Sequence, residues 1–357
     1  MAIQQYGTAA SRNLIRAAQG MLEHAEPITV LGDFGTQREL PMNSTDTIVF
    51  RRTLPFGANV AGLSVENNTR YVATPGGTGG LNYSDFILGE GVTPNSNTIT
   101  FQDVVVTLQQ FGILFKFSSK VEQLYEDDVP AEMQKLTGET MAEVLELVRY
   151  GALKAGSNVV YAGGVTTRAS VNSIITLNAL RKVARTLESN RAKRVTSRLA
   201  PGPNFSTRPV QPAFIVFAHT DAVADIRNLP GFTRVEEYGS FKPIHDREIG
   251  AAEDFRFIVS PLFRPFLASG AATLNGCLSV GGSNVDVYPL MIIGEDAWGQ
   301  VALKGMAAIK PIVLRASQTS HANPLGQFGY VGASTYFAAV RLNEAWMTRL
   351  EVGVTAL

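Results

Sequence analysis

The chain has 357 residues, 45% of them hydrophobic and 17% charged, and its 31 basic and 31 acidic side chains cancel to zero formal charge. Such a length suits one large domain or two to three smaller ones, burying about three quarters of the unfolded surface. A neutral chain has no electrostatic pull towards nucleic acid or anionic lipid, which argues against a duplex-DNA binder, and a single cysteine, Cys277, excludes an internal disulfide framework and a four-cysteine zinc site.

Residues 1–20 lack the apolar core of a signal peptide and no run is long enough for a membrane span, so a cytosolic product is expected. The Asn-x-Ser/Thr matches at Asn43, Asn67, Asn82 and Asn204 are then chance. Residues 10–24 read as a short amphipathic helix, with Leu14, Ile15, Ala18, Met21 and Leu22 on one side. Residues 27–42 form an extended arm, and 47–52 (TIVFRR) a β-branched strand carrying Arg51 and Arg52. From 54 to 97 the chain is rich in glycine, asparagine, threonine and proline, including Gly76, Gly77, Gly79 and Gly80. So long an irregular run is unusual within a compact domain. It reads as an extended hairpin that packs against something outside its own subunit. Residues 99–106 and 109–117 are strands, the second alternating Phe111, Ile113, Phe115 and Phe117.

A long helix follows over 127–155. Asp127 or Asp128 can cap it and Pro130 suits its first turn. Its apolar stripe is read as Met133, Leu136, Thr140, Val144, Val148 and Ala152, widened by Met141, Leu145 and Leu147. Glu132, Lys135, Glu139, Glu143, Glu146 and Arg149 make the solvated face. At 1.5 Å per residue it spans roughly 40 Å, a beam for sheets and loops to lean on. Strand 158–161 comes next, then a helix over 177–189 capped by Thr176, with Leu180, Val183, Ala184 and Leu187 inward. Its outer face and following loop carry Arg181, Lys182, Arg185, Arg191, Lys193, Arg194 and Arg198. Strand 213–217, helix 221–227, loop 233–250 and strands 255–260, 288–293, 301–303, 309–316, 333–340 and 347–352 complete the chain. No regular βαβ repeat appears, which points to an α+β fold.

No active site emerges. The 76–80 glycines lack a following Lys-Ser/Thr and precede no helix, so they are not a phosphate loop. Gly281-Gly282-Ser283-Asn284-Val285 fails the nucleophile-elbow pattern at its last position. His219-Thr220-Asp221 and His245-Asp246-Arg247-Glu248 lack helical metal-ligand spacing, and Cys277 reads as a small core hydrophobe. No catalytic residue, metal or cofactor is expected. The acidic long helix and the basic second helix are either two solvated faces or complementary surfaces on neighbouring copies of the chain.

The order of features resembles a known family. The stretches that carry the likeness are Gly89-Glu90-Gly91-Val92-Thr93-Pro94, Val106-Thr107-Leu108-Gln109-Gln110-Phe111-Gly112, Ala155-Gly156-Ser157-Asn158-Val159-Val160-Tyr161-Ala162-Gly163 and Ala218-His219-Thr220-Asp221-Ala222. They continue with Glu248-Ile249-Gly250, Phe255-Arg256-Phe257-Ile258-Val259-Ser260, Asp296-Ala297-Trp298-Gly299, Asn323-Pro324-Leu325-Gly326-Gln327-Phe328-Gly329 and Leu342-Asn343-Glu344-Ala345-Trp346. From about residue 85 onward the chain resembles the major capsid proteins of tailed bacteriophages, which share the Hong Kong 97 fold. The likeness is greatest to the branch of short-tailed coliphages that package their own RNA polymerase.

The resemblance implies an N-terminal arm (1–46), an extended loop (47–106), a peripheral domain with a spine helix (107–170), an axial domain (171–315) and a return to the peripheral domain (316–357). It implies hexamers and pentamers closing an icosahedral shell around packaged double-stranded DNA, made in the bacterial cytoplasm and resident in the virion, with no membrane partner. Inter-subunit contacts are expected at Arg51, Arg52, Gly76, Gly77, Gly79, Gly80, Glu139, Glu143, Arg185, Arg191 and Arg194. Some relatives weld their shells through a lysine in the extended loop. Here the first lysine is Lys116, so no such cross-link is expected. The chain begins too early for a large fused scaffolding domain, so scaffold, portal and decoration proteins are expected to be separate chains. The competing readings are an encapsulin-like compartment shell and an α+β enzyme with a glycine-rich lid over 54–97.

Overall fold

The computed structural model describes residues 29–43, 45–53, 88–91, 101–124, 128–195, 212–239, 242–304, 312–319 and 323–357. The helix expected over 10–24 and nearly all of the 54–97 segment, with Gly76, Gly77, Gly79 and Gly80, lie outside these residues.

The long helix forms as its sequence dictates. Helix α2 (Val129–Lys154) starts where Asp128 accepts a hydrogen bond from the Ala131 amide at 3.3 Å, with Pro130 in the first turn. Its 26 residues span about 39 Å. The buried stripe runs through Thr137, Met141, Leu145, Glu146, Tyr150 and Leu153, rotated from the expected one, and Leu136 is 40% exposed. Thr137 is buried without an orphaned group because its hydroxyl donates to the Met133 carbonyl at 2.6 Å. Glu146 and Arg149 are not on a solvated face. Glu146 is fully buried, because the arm at residues 30–31 packs across the helix and its amides need an acceptor there.

Two sheets lean on this helix. The first holds β1 (Thr36–Leu40), β4 (Gln109–Ser118), β11 (Trp298–Leu303), β12 (Ile312–Leu314) and β13 (Phe328–Arg341), in the order β1-β11-β13-β12 with β4 on the other side of β13. β4 and β13 pair antiparallel from Gln109↔Phe337 to Ser118↔Phe328, which puts Phe111, Ile113, Phe115 and Phe117 on the helix side as their alternation predicts. β13 starts five residues before its expected start at 333, through Gly329 and Gly332, whose missing side chains let Phe117 and Leu114 lie across them.

The second sheet runs β5-β14-β10-β6-β9-β8-β7. Its strands are β5 (Val159–Tyr161), β6 (Phe214–Ala218), β7 (Thr233–Arg234), β8 (Glu248–Ala252), β9 (Phe255–Val259), β10 (Tyr288–Ile293) and β14 (Met347–Val352). The expected loop 233–250 thus contains β7 and the start of β8, a pairing too short to carry a period. β6, β9 and β10 are buried throughout, and apolar except for Arg256 in β9, because both sheet faces are covered. Phe214, Val216, Leu290 and Ile292 face α3 (Leu177–Ser189) through Leu180, Val183 and Leu187. Ile215, Phe217, Met291 and Ile293 face the last turns of α2 at Tyr150 and Leu153, with Trp298 and Phe263. One helix therefore braces both sheets.

The remaining described elements are the β2–β3 hairpin (Thr47–Thr53 with Phe101–Thr107), α1 (Ser119–Leu124) and α4 (Val223–Arg227). The sheets do not divide at residues 171 and 316. Segments 159–161 and 347–352, expected in the peripheral domain, hydrogen-bond into the seven-stranded sheet, while 298–303 and 312–314, expected in the axial domain, join the other.

Both loop histidines accept hydrogen bonds from nearby backbone amides. The His219 Nδ1 accepts from the Asp221 amide at 3.1 Å and the His245 Nδ1 from the Arg247 amide at 3.0 Å. Cys277 is buried with its thiol 3.4 Å from the Asn172 carbonyl, and burial, with Asp225 adding, pushes its pKa up. The folded protein is therefore expected to react with a thiol reagent at least tenfold more slowly than the urea-unfolded chain; equal rates in a stopped-flow thiol assay would refute this.

Candidate assembly surfaces

The five-stranded sheet has a helix-covered face and an outer face, and the hairpin seals only half of the outer one. Ile48, Phe50 and Val106 of the hairpin, with Leu108, pack on Leu40, Val301, Leu303, Ala338 and Val340. Beyond them the same face continues as Leu114, Ile312 and Leu314, which are 59%, 61% and 47% exposed, around the small residues Gly332 and Ser334. Lys116 lies over the Phe328 ring at 3.7 Å there. Apolar side chains gathered on one sheet face at this exposure offer a contact surface. The hairpin's outward side shows Val49 and Val105, with the Arg51–Asp103 pair next to them at 2.7 Å.

The arm is held by a polar clamp. Glu146 Oε1 accepts from the Val30 and Leu31 amides at 2.9 and 2.7 Å, and its other oxygen faces Arg149 at 3.4 Å. Arg149 donates to Gln300 at 2.8 Å and stacks over Phe337, while Gln300 donates to the Gly32 carbonyl at 2.6 Å. Arm, helix, β11 and β13 are thus joined through three side chains. Arg149 and Gln300 border an open cavity of about 190 Å³ lined also by Arg38 and Glu39. Burial pulls the Arg149 guanidinium below its usual pKa and the Glu146 carboxylate opposes that.

A second network closes the far end of α2. The buried Glu351 carboxylate takes two bonds from Arg168, both at 2.7 Å, and one from Arg349 at 2.8 Å. Arg349 also donates to the carbonyls of Lys154 and Gly156 at the helix end, where cations suit the helix dipole. In the seven-stranded sheet, Tyr238 and the Ile244 amide each donate to the buried Glu248 at 2.6 Å, and Arg256 stands 3.5 Å away.

No protein-family profile matches the chain. Among curated proteins it is similar to the "Major capsid protein" of Pseudomonas phage KPP21, 19% identical over 277 residues, covering 71% of this chain and 69% of that protein. Among solved structures it is similar to the capsid of Ralstonia phage GP4 at a TM-score of 0.64 and 10% identity, over 100% of this chain and 99% of the other. The capsid chain of cyanophage Pam1 matches at a TM-score of 0.60 and 13% identity over 100% of both chains. The fold is that of tailed-phage capsid proteins.

Within this capsid fold the residues singled out from sequence fall in unequal places. Arg51 is paired with Asp103, and Arg52 donates to Gln102 at 2.6 Å, both across the hairpin. On the α3 side, Arg181 is held by Glu253, and Arg194 by Glu188 and Asp254. Two of the seven basic residues read on this face are therefore matched by acids inside the chain. Arg185 is exposed with no partner among the described residues, and Arg191 sits at φ 57° in the turn after α3. Glu139 is half-buried and 4.0 Å from Lys135, while Glu143 is exposed. Sequence reasoning did not find the clamp or the Glu351 network. Two signals were present: Glu146 lies between Leu145 and Leu147, and Arg349-x-Glu351 places opposite charges on one strand face.

Proposed function

We propose that this chain is the major capsid protein of a tailed phage and builds an icosahedral shell from hexamers and pentamers around double-stranded DNA. The observation that carries the reading is the fold shared with phage capsid chains over the whole length. The half-sealed sheet face supports it, since one copy leaves Leu114, Ile312 and Leu314 uncovered. In this reading the five-stranded sheet and α2 form the peripheral domain. The seven-stranded sheet with α3 forms the axial domain, and the β2–β3 hairpin is the root of a loop laid on the adjacent subunit. Heterologous contacts repeated around rings of five and six close such a shell. Arg51, Arg52, Gly76, Gly77, Gly79, Gly80, Glu139, Glu143, Arg185, Arg191 and Arg194 are proposed to lie at these contacts, Arg51 and Arg194 as pre-formed ion pairs.

A neutral wall confines DNA without gripping it, so the role is structural and not enzymatic. The chain is made in the bacterial cytoplasm, works with separate scaffold and portal proteins, and belongs nearest the short-tailed coliphages that carry an RNA polymerase in the head.

The test is to purify the chain and view it by size-exclusion chromatography and negative-stain microscopy. Shells or rings of five and six are expected; a monomer that stays small at all concentrations overturns the proposal. On a denaturing gel the same particles are expected to give one band at 38.4 kDa; a covalent ladder would show that a lysine outside the loop welds the shell.

A further inference from the structure

The end of α2 carries a concentration of charge that the fold does not balance. Lys154, Arg168 and Arg349 converge on the Phe266 ring, at 3.9, 3.5 and 5.8 Å from its centroid, and the two arginines share one carboxylate, Glu351. Lys154 donates to the Arg264 carbonyl at 2.9 Å, and the Arg264 side chain is exposed on that loop with no partner among the described residues. Nearby, Arg341 is matched by Glu344 and adds nothing to the balance. Three cations therefore gather about one carboxylate, and Arg264 adds an exposed fourth on the adjoining loop, on a chain whose total charge is zero. Burial, then Arg168 and Arg349, lower the pKa of Lys154, which marks this surplus as felt within the site. The missing acid lies on the same helix. Glu132 and Glu143 have no side-chain partner among the described residues, and Glu132 stands 22 residues, about 33 Å, from Lys154.

We infer that the cationic cluster at the end of α2, with Arg264 on the adjoining loop, receives the carboxylates of Glu132 and Glu143 of α2 in a neighbouring copy of the chain. The inference rests on the shell reading and names the charge pairing of one of its contacts. A head-to-tail contact of this kind joins two different surfaces and so can repeat around a ring. Duplex DNA fits less well. Its affinity comes from many phosphate contacts spread along an extended basic surface, whereas this cluster is compact and its cations are already tied to carbonyls, a carboxylate and one ring.

Charge reversal tests it on the full chain, with Arg264 chosen because it holds no part of the fold through its side chain. Arg264→Glu is expected to raise the concentration needed for assembly about tenfold or more, since like charges then meet across the contact. The circular dichroism and melting of the unassembled chain should stay unchanged. Adding Glu143→Lys or Glu132→Lys is expected to restore assembly, while either reversal alone impairs it. Assembly by Arg264→Glu at the unaltered concentration, or failure of both second changes to restore it, overturns the inference. So does a loss of duplex-DNA binding in Arg264→Glu with assembly intact, which would assign the cluster to phosphate. Failure of the unaltered chain to assemble at all removes the shell reading itself, which separates the two outcomes.

Discussion

Replacing Glu146 by alanine is expected to destabilise the unassembled chain by roughly 3–5 kcal/mol, read as a lowered urea midpoint. The size follows from what the carboxylate does. It is fully buried, it accepts from the Val30 and Leu31 amides, and it faces the largely buried Arg149. Truncation leaves two buried donors without acceptors, each costing about 1–3 kcal/mol, and a cation without its counter-charge. Glu146→Gln keeps an oxygen that both amides can share and loses only the charge opposite Arg149, so a smaller loss is expected. Limited proteolysis should at the same time cut the released arm near residues 29–43 first. If Glu146→Ala shifted stability by less than about 0.5 kcal/mol, the arm would not be anchored through this side chain.

The second large effect is expected at Gly329. A Cβ there would stand 2.4 Å from Phe117 Cζ, 2.6 Å from the Leu314 carbonyl oxygen and 2.8 Å from the Ala316 amide nitrogen. Two of these three are backbone atoms that cannot turn aside, and Phe117 is fully buried. Gly329→Val should cost about 3 kcal/mol or more through overpacking and loss of the β12–β13 pairing, with much of the product insoluble. Gly138, inside α2, is the contrast. Nothing lies within 4 Å of its would-be Cβ, so Gly138→Ala should stabilise by about 0.5–1 kcal/mol, measured by thermal melting. Equal effects at the two glycines would refute this assignment of strain.

What could be read in advance follows from how local each determinant is. α3 was bounded to the residue because Thr176 caps it, its hydroxyl accepting from the Ala179 amide at 3.3 Å, and because its period is clean. β10 was likewise visible as an apolar run. The face of α2 was misjudged because two apolar stripes overlap on it, and the arm and both sheets decide between them. No local rule announces that a glutamate between two leucines will cap the amides of residues 30 and 31. Strand partners were equally hidden: β1 lies parallel to β11 and β5 parallel to β14, pairings set by topology and not by neighbours in sequence. The fate of the basic residues after 177 depended on Glu253 and Asp254, which only the folded chain brings near them.

The pairing of β14 between β10 and β5 has a consequence for how the molecule is made. Residues 159–161 and 288–293 wait for a strand that the ribosome delivers only after position 347, so the seven-stranded sheet closes late. Long-range pairing of this kind folds slowly. Until β14 arrives, the facing edges of β10 and β5 stay unpaired and open to mispairing.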